Sequence, residues 1–301
     1  MSLIRDDCSI ASPRSYIETR NSNRLISKDK QVKVAQQEQA DIYELVSDNK
    51  LSLNYQPVIN FREHQVYCIE ALLNWKMLCC QAGDTEKFIS DIEQDAALSL
   101  RLDTYVLKTA MRDLGFLSST YGYRGSVSVN ISPASLENKE FLTSIRELLL
   151  PSASWVPLDP SRLVLEITER VPWSQPERIL ESIAELTRLG VRIAVDDFIT
   201  GYANFGVLLN EDVTIVKIDK GITERLLTDK SVQTFAAQFK ELANHLNKTV
   251  IVEGIEECEQ AMWLNEHGYQ FFQGYFFAVP TDIQGIARYL KTQSVYRSGC
   301  A

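Results

Sequence analysis

Residues 163–197 read LVLEITERVPWSQPERILESIAELTRLGVRIAVDD, and this stretch decides the fold. Leu163-Val164-Leu165 is a short apolar run that ends in an acid, Glu166. Ser174-Gln175-Pro176-Glu177 then offers a capping box with proline in the first helical turn, followed by Ile179, Leu180, Ile183, Leu186 and Leu189 at helical spacing. Gly190 stops that helix, and Val191 to Val195 forms a second apolar run that again ends in acid, Asp196-Asp197. The reading is strand, helix, strand, with a charged residue at the carboxyl end of each strand.

The same grammar extends outward in both directions. Val127 to Val129 leads into Asn130, Val213 to Val216 into Lys217, Thr249 to Val252 into Glu253, and Tyr269 to Phe272 into Gln273. Val232, Phe235, Phe239, Leu242 and Leu246 space out a helix, and Glu257 to His267 spells another that ends at Gly268. The aromatic run Phe271, Phe272, Tyr275, Phe276 and Phe277 reads as core packing. Strands alternating with helices over about 250 residues predict an α/β fold with parallel strands, and the length suits a (β/α)8 barrel of TIM type. In such a barrel the strand-end residues converge on one face, where barrel enzymes carry their chemistry.

Composition narrows the function classes. The 301 residues carry 31 Lys+Arg against 40 Asp+Glu, a net charge of -9, which argues against a broad electrostatic grip on nucleic acid or an anionic membrane. Residues 1–39 lack a persistent period and are read as a poorly structured N-terminal tail; residues 40–291 form the domain and 292–301 a C-terminal tail. No apolar run approaches the ~18 residues of a membrane helix, and the first thirty residues hold no signal-peptide stretch, so the expected location is cytoplasmic. Six cysteines without a C-x-x-C pair suit neither zinc nor a disulfide framework, and the three histidines form no metal motif. Neither G-x-G-x-x-G nor a Walker A loop is present.

Chemistry therefore rests on carboxylates. One acid at a strand end is ordinarily a solvated loop residue or a helix cap, but six strands ending in polar groups form a pattern. Glu166, Asp196, Asp197 and Glu253 crowded together repel one another unless protons or cations intervene, and oxygen ligands select hard cations such as Mg²⁺ or Mn²⁺. The consecutive pair Asp196-Asp197 suggests two ions sharing a bridge, a device suited to a phosphate ester.

These motifs resemble, in order, those of the EAL domain family of cyclic di-GMP phosphodiesterases. Tyr55-Gln56-Pro57-Val58 and Glu70-Ala71-Leu72 match its opening, Val127 to Ser132 its asparagine strand, Leu165 to Glu169 its E-x-T-E strand, and Asp196-Asp197-Phe198 its D-D-F motif. Val216 to Asp219, Val252 to Glu256 and Gln273-Gly274-Tyr275 complete the series. The resemblance implies a modified (β/α)8 barrel that hydrolyses cyclic di-GMP to linear pGpG with two Mg²⁺ or Mn²⁺ ions and is inhibited by Ca²⁺. It implies that Glu70, Asn130, Glu166 and Asp196 hold one metal, with Asp196 bridging to a second held by Asp197 and Glu253. Lys217 would help position the attacking water, with Glu253 as general base. Gln56, Leu72 and Gln273 would contact substrate, while Glu169 and Glu256 brace the loop after Asp197.

Two positions depart from the family pattern. Asn74 stands where an arginine commonly pairs with a substrate phosphate, and Ile199 replaces a glycine in the loop after Asp197. Those departures leave open a catalytically weak or inactive domain that serves as a cyclic di-GMP receptor or protein-interaction module, and the metals alone would also suit another phosphodiester. The resemblance further implies a homodimer through helices near that loop, where Ile199, Ala203 and Phe205 stand; a protein partner could regulate it.

Overall fold

A computed structural model describes residues 51–74, 95–150, 158–168, 173–198 and 205–292. The first strands are β1 (Leu53–Asn60) and β2 (Gln65–Leu73), followed by α1 (Ala96–Tyr121), β3 (Ser126–Ile131), α2 (Pro133–Leu136) and α3 (Lys139–Leu149). The middle holds β4 (Leu163–Thr168), α4 (Pro176–Arg188), β5 (Arg192–Phe198), α5 (Phe205–Leu209) and β6 (Val213–Ile218). Then come α6 (Lys220–Leu226), α7 (Lys230–His245), β7 (Thr249–Val252), α8 (Cys258–Glu266), β8 (Phe271–Phe272) and α9 (Ile283–Thr292). The eight strands close into one barrel in sequence order, as the alternation of apolar runs and helices predicts.

The barrel departs from eight parallel strands at β1, which pairs antiparallel to both β2 and β8. Only residues 61–64 join β1 to β2, too few for the crossover a parallel pair needs, and His64 takes a positive φ of 53° to close the turn. Strand β8 reaches β1 only at Ile59 and Asn60. The chain beyond β8 fills the rest of that seam: Thr281 returns to bridge Tyr55, donating its N–H to the Tyr55 carbonyl at 3.0 Å.

Two apolar layers follow from the two-residue alternation of a strand. One side chain parity faces the helices, where Leu165, Ile193, Val195 and Ile218 pack against Ile179, Ile183, Phe239 and others. The other parity faces the barrel axis, where Val58, Cys68, Val164, Ala194, Ile215 and Ile251 form a separate cluster. Below it Arg192 closes the floor, donating to the Tyr67 hydroxyl at 2.6 Å, to the Ser161 carbonyl at 2.8 Å and to the Ser126 hydroxyl. Among the described residues no helix is long and apolar enough to cross a membrane.

Three local readings change. The N-cap of α4 is Gln175 and makes no side-chain cap bond, while the Ser174 hydroxyl donates instead to Glu137 at 2.6 Å. Glu137 also accepts the Gln175 N–H at 3.0 Å, so a carboxylate distant in sequence sits at the positive end of the helix. In α7 the buried row is Val232, Ala236, Phe239 and Ala243, leaving Phe235 and Leu242 38% and 39% exposed. In the aromatic run Phe272 is core, but Tyr275 is 64% exposed. Residues 1–39 and 293–301 lie outside the described residues, as do Glu169, Ile199 and Ala203.

Candidate active site

Each axis-facing apolar residue predicts a site residue two positions further along its strand. Cys68 leads to Glu70, Val164 to Glu166, Ala194 to Asp196, Ile215 to Lys217 and Ile251 to Glu253; on the reversed strand β1, Val58 leads back to Gln56. The apolar cluster is thus the floor beneath a polar ring, and hydrophobic packing sets the height and direction of Glu70, Glu166, Asp196, Lys217 and Glu253.

Asp197 would face the helices if β5 were regular. Instead Val195 pairs with Val216 and Phe198 with Ile218, so Asp196 and Asp197 together oppose Lys217 across a β-bulge. Asp197 takes a φ of 52°, a region that aspartate tolerates better than most residues but still at a cost. The bulge brings both carboxylates to the same cavity and returns Phe198 to the core against Phe239.

Lys217 is the centre of the ring. Its ammonium lies 2.6 Å from Glu253 Oε1, 2.7 Å from Glu166 Oε2, 3.1 Å from Asp196 Oδ1 and 3.3 Å from Glu70 Oε2, and the residue is 1% exposed. Asn130 Nδ2 donates to Glu70 Oε1 at 2.9 Å, and Gln273 Nε2 donates to Glu70 Oε2 at 2.7 Å and Gln56 Oε1 at 3.1 Å. Gln56 in turn donates to the Ala278 carbonyl at 3.0 Å, tying the ring to the segment that seals the β1–β8 seam.

Electrostatics separate the carboxylates. Burial pushes the Glu70 carboxyl up, but Lys217 and the donors Gln273 and Asn130 outweigh it and hold Glu70 below the usual range. Glu166 is raised well above that range by burial and then by the Glu70 charge. Burial likewise raises Asp196 against the pull of Lys217, and raises Glu253 to about 8. Burial alone would discharge Lys217; the surrounding carboxylates reverse that and hold it firmly protonated.

This donor set fits hard divalent cations. Asp196 Oδ1 is buried beside Lys217 but outside the alignment a hydrogen bond needs, so it is an acceptor without a donor. One carboxylate oxygen each from Asp196, Asp197 and Glu253 lie within 4.8 Å of one another. Oxygen atoms alone, concentrated and negative, suit Mg²⁺ or Mn²⁺ rather than a soft metal.

A cavity of about 540 Å³ opens over the ring. It is lined by Gln56, Glu70, Leu72, Asn130, Asp196, Asp197, Glu253, Glu256 and Gln273 among the residues expected from sequence. Glu166 and Lys217 lie beneath it. Asn74, half-buried, is just past β2, where its N–H donates to the Ser52 carbonyl at 2.9 Å, and it does not line the cavity. Glu256 is exposed, with its N–H on Gln260 Oε1 at 2.9 Å.

Sequence reasoning missed several residues. Asp103 of α1 lines the cavity and its Oδ2 accepts from the Ser132 N–H at 2.9 Å and hydroxyl at 2.7 Å, pinning the loop just after Asn130. An acid between the apolar Leu102 and Val106 was its visible signal. Lys220 and Tyr275 also line the cavity. Gln260, buried in α8, accepts from Glu256 and Glu257 and donates to the Thr223 carbonyl at 2.9 Å, fixing the turn after Glu253.

The chain is similar to several known proteins. Over 251 residues the chain is 29% identical to the probable cyclic di-GMP phosphodiesterase PdeN of Escherichia coli strain K12, which covers 83% of this chain and 47% of that protein. It is 26% identical over 274 residues to the cyclic di-GMP phosphodiesterase NbdA of Pseudomonas aeruginosa, covering 90% of this chain and 34% of that protein. The chain therefore spans a third to a half of the length of these relatives. The solved EAL enzyme Bd1971, in its cAMP and cyclic-di-GMP bound form, superposes with a TM-score of 0.78 at 25% identity, over 94% of this chain and 77% of that one. The EAL domain profile itself runs through residues 39–280, from before β1 to the segment that seals the barrel, and the chain belongs to the EAL domain family.

Proposed function

We propose that residues 40–291 act as a metal-dependent phosphodiesterase that hydrolyses cyclic di-GMP to linear pGpG and so lowers the level of this second messenger in the cytoplasm. The observation that carries this reading is the ring itself: five carboxylates and one buried lysine, with an unsatisfied acceptor on Asp196, at the base of a cavity large enough for a nucleotide ligand.

In this reading Glu70, Asn130, Glu166 and Asp196 would hold a first Mg²⁺ or Mn²⁺, and Asp197 and Glu253, together with Asp196, would hold a second. Bound, the ions supply positive charge against the carboxylates and the substrate phosphates and make water more acidic. Glu253, held by Lys217, takes a proton from the attacking water. The water oxygen joins phosphorus, the bond from phosphorus to the 3′ oxygen breaks, and that oxygen takes up a proton from solvent at the open mouth. Gln56, Leu72 and Gln273 orient the dinucleotide, and Glu256 with Glu169 braces the loop after Asp197. Ca²⁺ inhibits, and a homodimer is the working assembly.

Turnover of cyclic di-GMP by the purified protein in Mg²⁺ or Mn²⁺, with Ca²⁺ and Glu70→Ala as controls, tests the reading. Metal-dependent pGpG formation that Glu70→Ala abolishes supports it. Tight binding of cyclic di-GMP without turnover would favour a receptor instead, a second reading motivated by the neutral Asn74.

A further inference from the structure

We propose that Lys220 binds substrate, its ammonium pairing with a phosphate of the dinucleotide at the cavity mouth; the inference rests on the phosphodiesterase reading and extends it. The starting point is a charge imbalance. Among the described residues lining the cavity, seven are carboxylates and one, Lys220, is basic. Lys217 cannot serve the substrate, because it is 1% exposed and its ammonium is already surrounded by four carboxylates. A phosphodiester that approaches this mouth meets a single mobile cation contributed by these residues.

The structure also keeps that cation available. Asp219 precedes it, but its side chain accepts the Gly221 N–H at 2.8 Å as the cap of α6. Lys220 is exposed and forms no ion pair among the described residues. Its stem, by contrast, is fixed. Gly254, with a φ of 68°, packs so closely on it that a Cβ at position 254 would fall 2.3 Å from Lys220 Cβ. The Thr223 hydroxyl bridges the same two segments, 2.8 Å from the Lys220 carbonyl and 3.0 Å from the Glu253 carbonyl. Lys220 is therefore rooted against the backbone that presents Glu253, and its flexible four-carbon arm is long enough to extend over the cavity that the residue lines. A contact made there holds the phosphate near the proton acceptor without joining the metal ligands.

The test compares wild type, Lys220→Met and Lys220→Arg by steady-state kinetics in Mn²⁺ and by equilibrium dialysis of labelled cyclic di-GMP in EDTA, with melting curves as a fold control. Lys220→Met is expected to raise KM and Kd about tenfold, the loss of one charge-assisted bond, with little change in kcat and a weaker dependence on KCl. Lys220→Arg restores both constants. Equal KM and Kd in wild type and Lys220→Met overturn the proposal and leave the phosphodiesterase reading standing. Wild type that binds without turnover overturns the enzyme reading, and the Kd comparison still decides Lys220. Wild type that neither binds nor turns over overturns both.

Discussion

Lys217 Nζ stands 2.6 Å from Glu253 Oε1, the shortest of four contacts that this ammonium makes with carboxylates from four different strands or strand ends. The lysine is the internal counter-ion of the ring, so its loss leaves several buried charges uncompensated. Lys217→Met should abolish turnover and destabilise the metal-free protein by about 3–5 kcal/mol at neutral pH, the usual consequence of breaking a buried ion pair. Urea denaturation in EDTA measures this; a variant as stable as wild type would mean that the carboxylates are already neutral.

Asp197 offers a separation of fold from ligand. Asp197→Asn keeps a residue type that tolerates a φ of 52° and removes the charge. The expected outcome is an unchanged melting temperature with at least ~tenfold weaker Mn²⁺ binding, about 1.4 kcal/mol. Calorimetric titration with Mn²⁺ reads the affinity, and unaltered binding would remove Asp197 from the ligand set.

Asp103 gives a pH prediction. Burial raises its carboxyl above the usual range, and the hydrogen bonds from Ser135 and Ser132 only partly oppose this. A carboxyl raised by folding contributes stability that is full below its unfolded value of about 3.9 and is lost as pH climbs through its folded value. Asp103→Asn keeps an acceptor for Ser132 without a charge, so it should melt higher than wild type at pH 8, with the advantage shrinking towards pH 4. A constant difference across that range would show that desolvation of Asp103 is not the cause.

Asn74 tests the missing cation just past the end of β2. It lies two residues beyond Leu72, which lines the cavity, so a longer arginine side chain can lean over the mouth from the end of β2. Asn74→Arg should lower KM roughly tenfold, one charge-assisted bond, and partly rescue Lys220→Met. An unchanged KM in both backgrounds would place position 74 outside the phosphate contact.

Much of this was legible in the sequence because the barrel writes its axis-facing residues at fixed spacing. The passage from Val164 to Glu166 or from Ile251 to Glu253 announces both the strand and the end of its apolar floor. The bulge left no such trace: Asp196-Asp197 breaks alternation, but only the pairing of the flanking Val195 with Val216 and Phe198 with Ile218 shows where the extra residue sits. In α7 the 3–4 spacing was real but two faces shared it, and the small Ala236 and Ala243 took the core while Phe235 and Leu242 stayed half-exposed. Glu137 replacing Ser174 at the start of α4, and Asp103 reaching Ser132, are contacts across 38 and 29 residues that no local pattern encodes.

The bulge in β5 has a further consequence for how this site tolerates change. Glu70, Glu166 and Glu253 belong to separate segments, so their spacing moves whenever barrel tilt or core volume shifts. Asp196 and Asp197 are neighbours in the chain, and a trans peptide unit keeps their Cα atoms about 3.8 Å apart whatever happens around them. One dimension of the site is thus covalent, insulated from mutation in the surrounding packing, and the rest of the ring can drift over generations while still being measured against it.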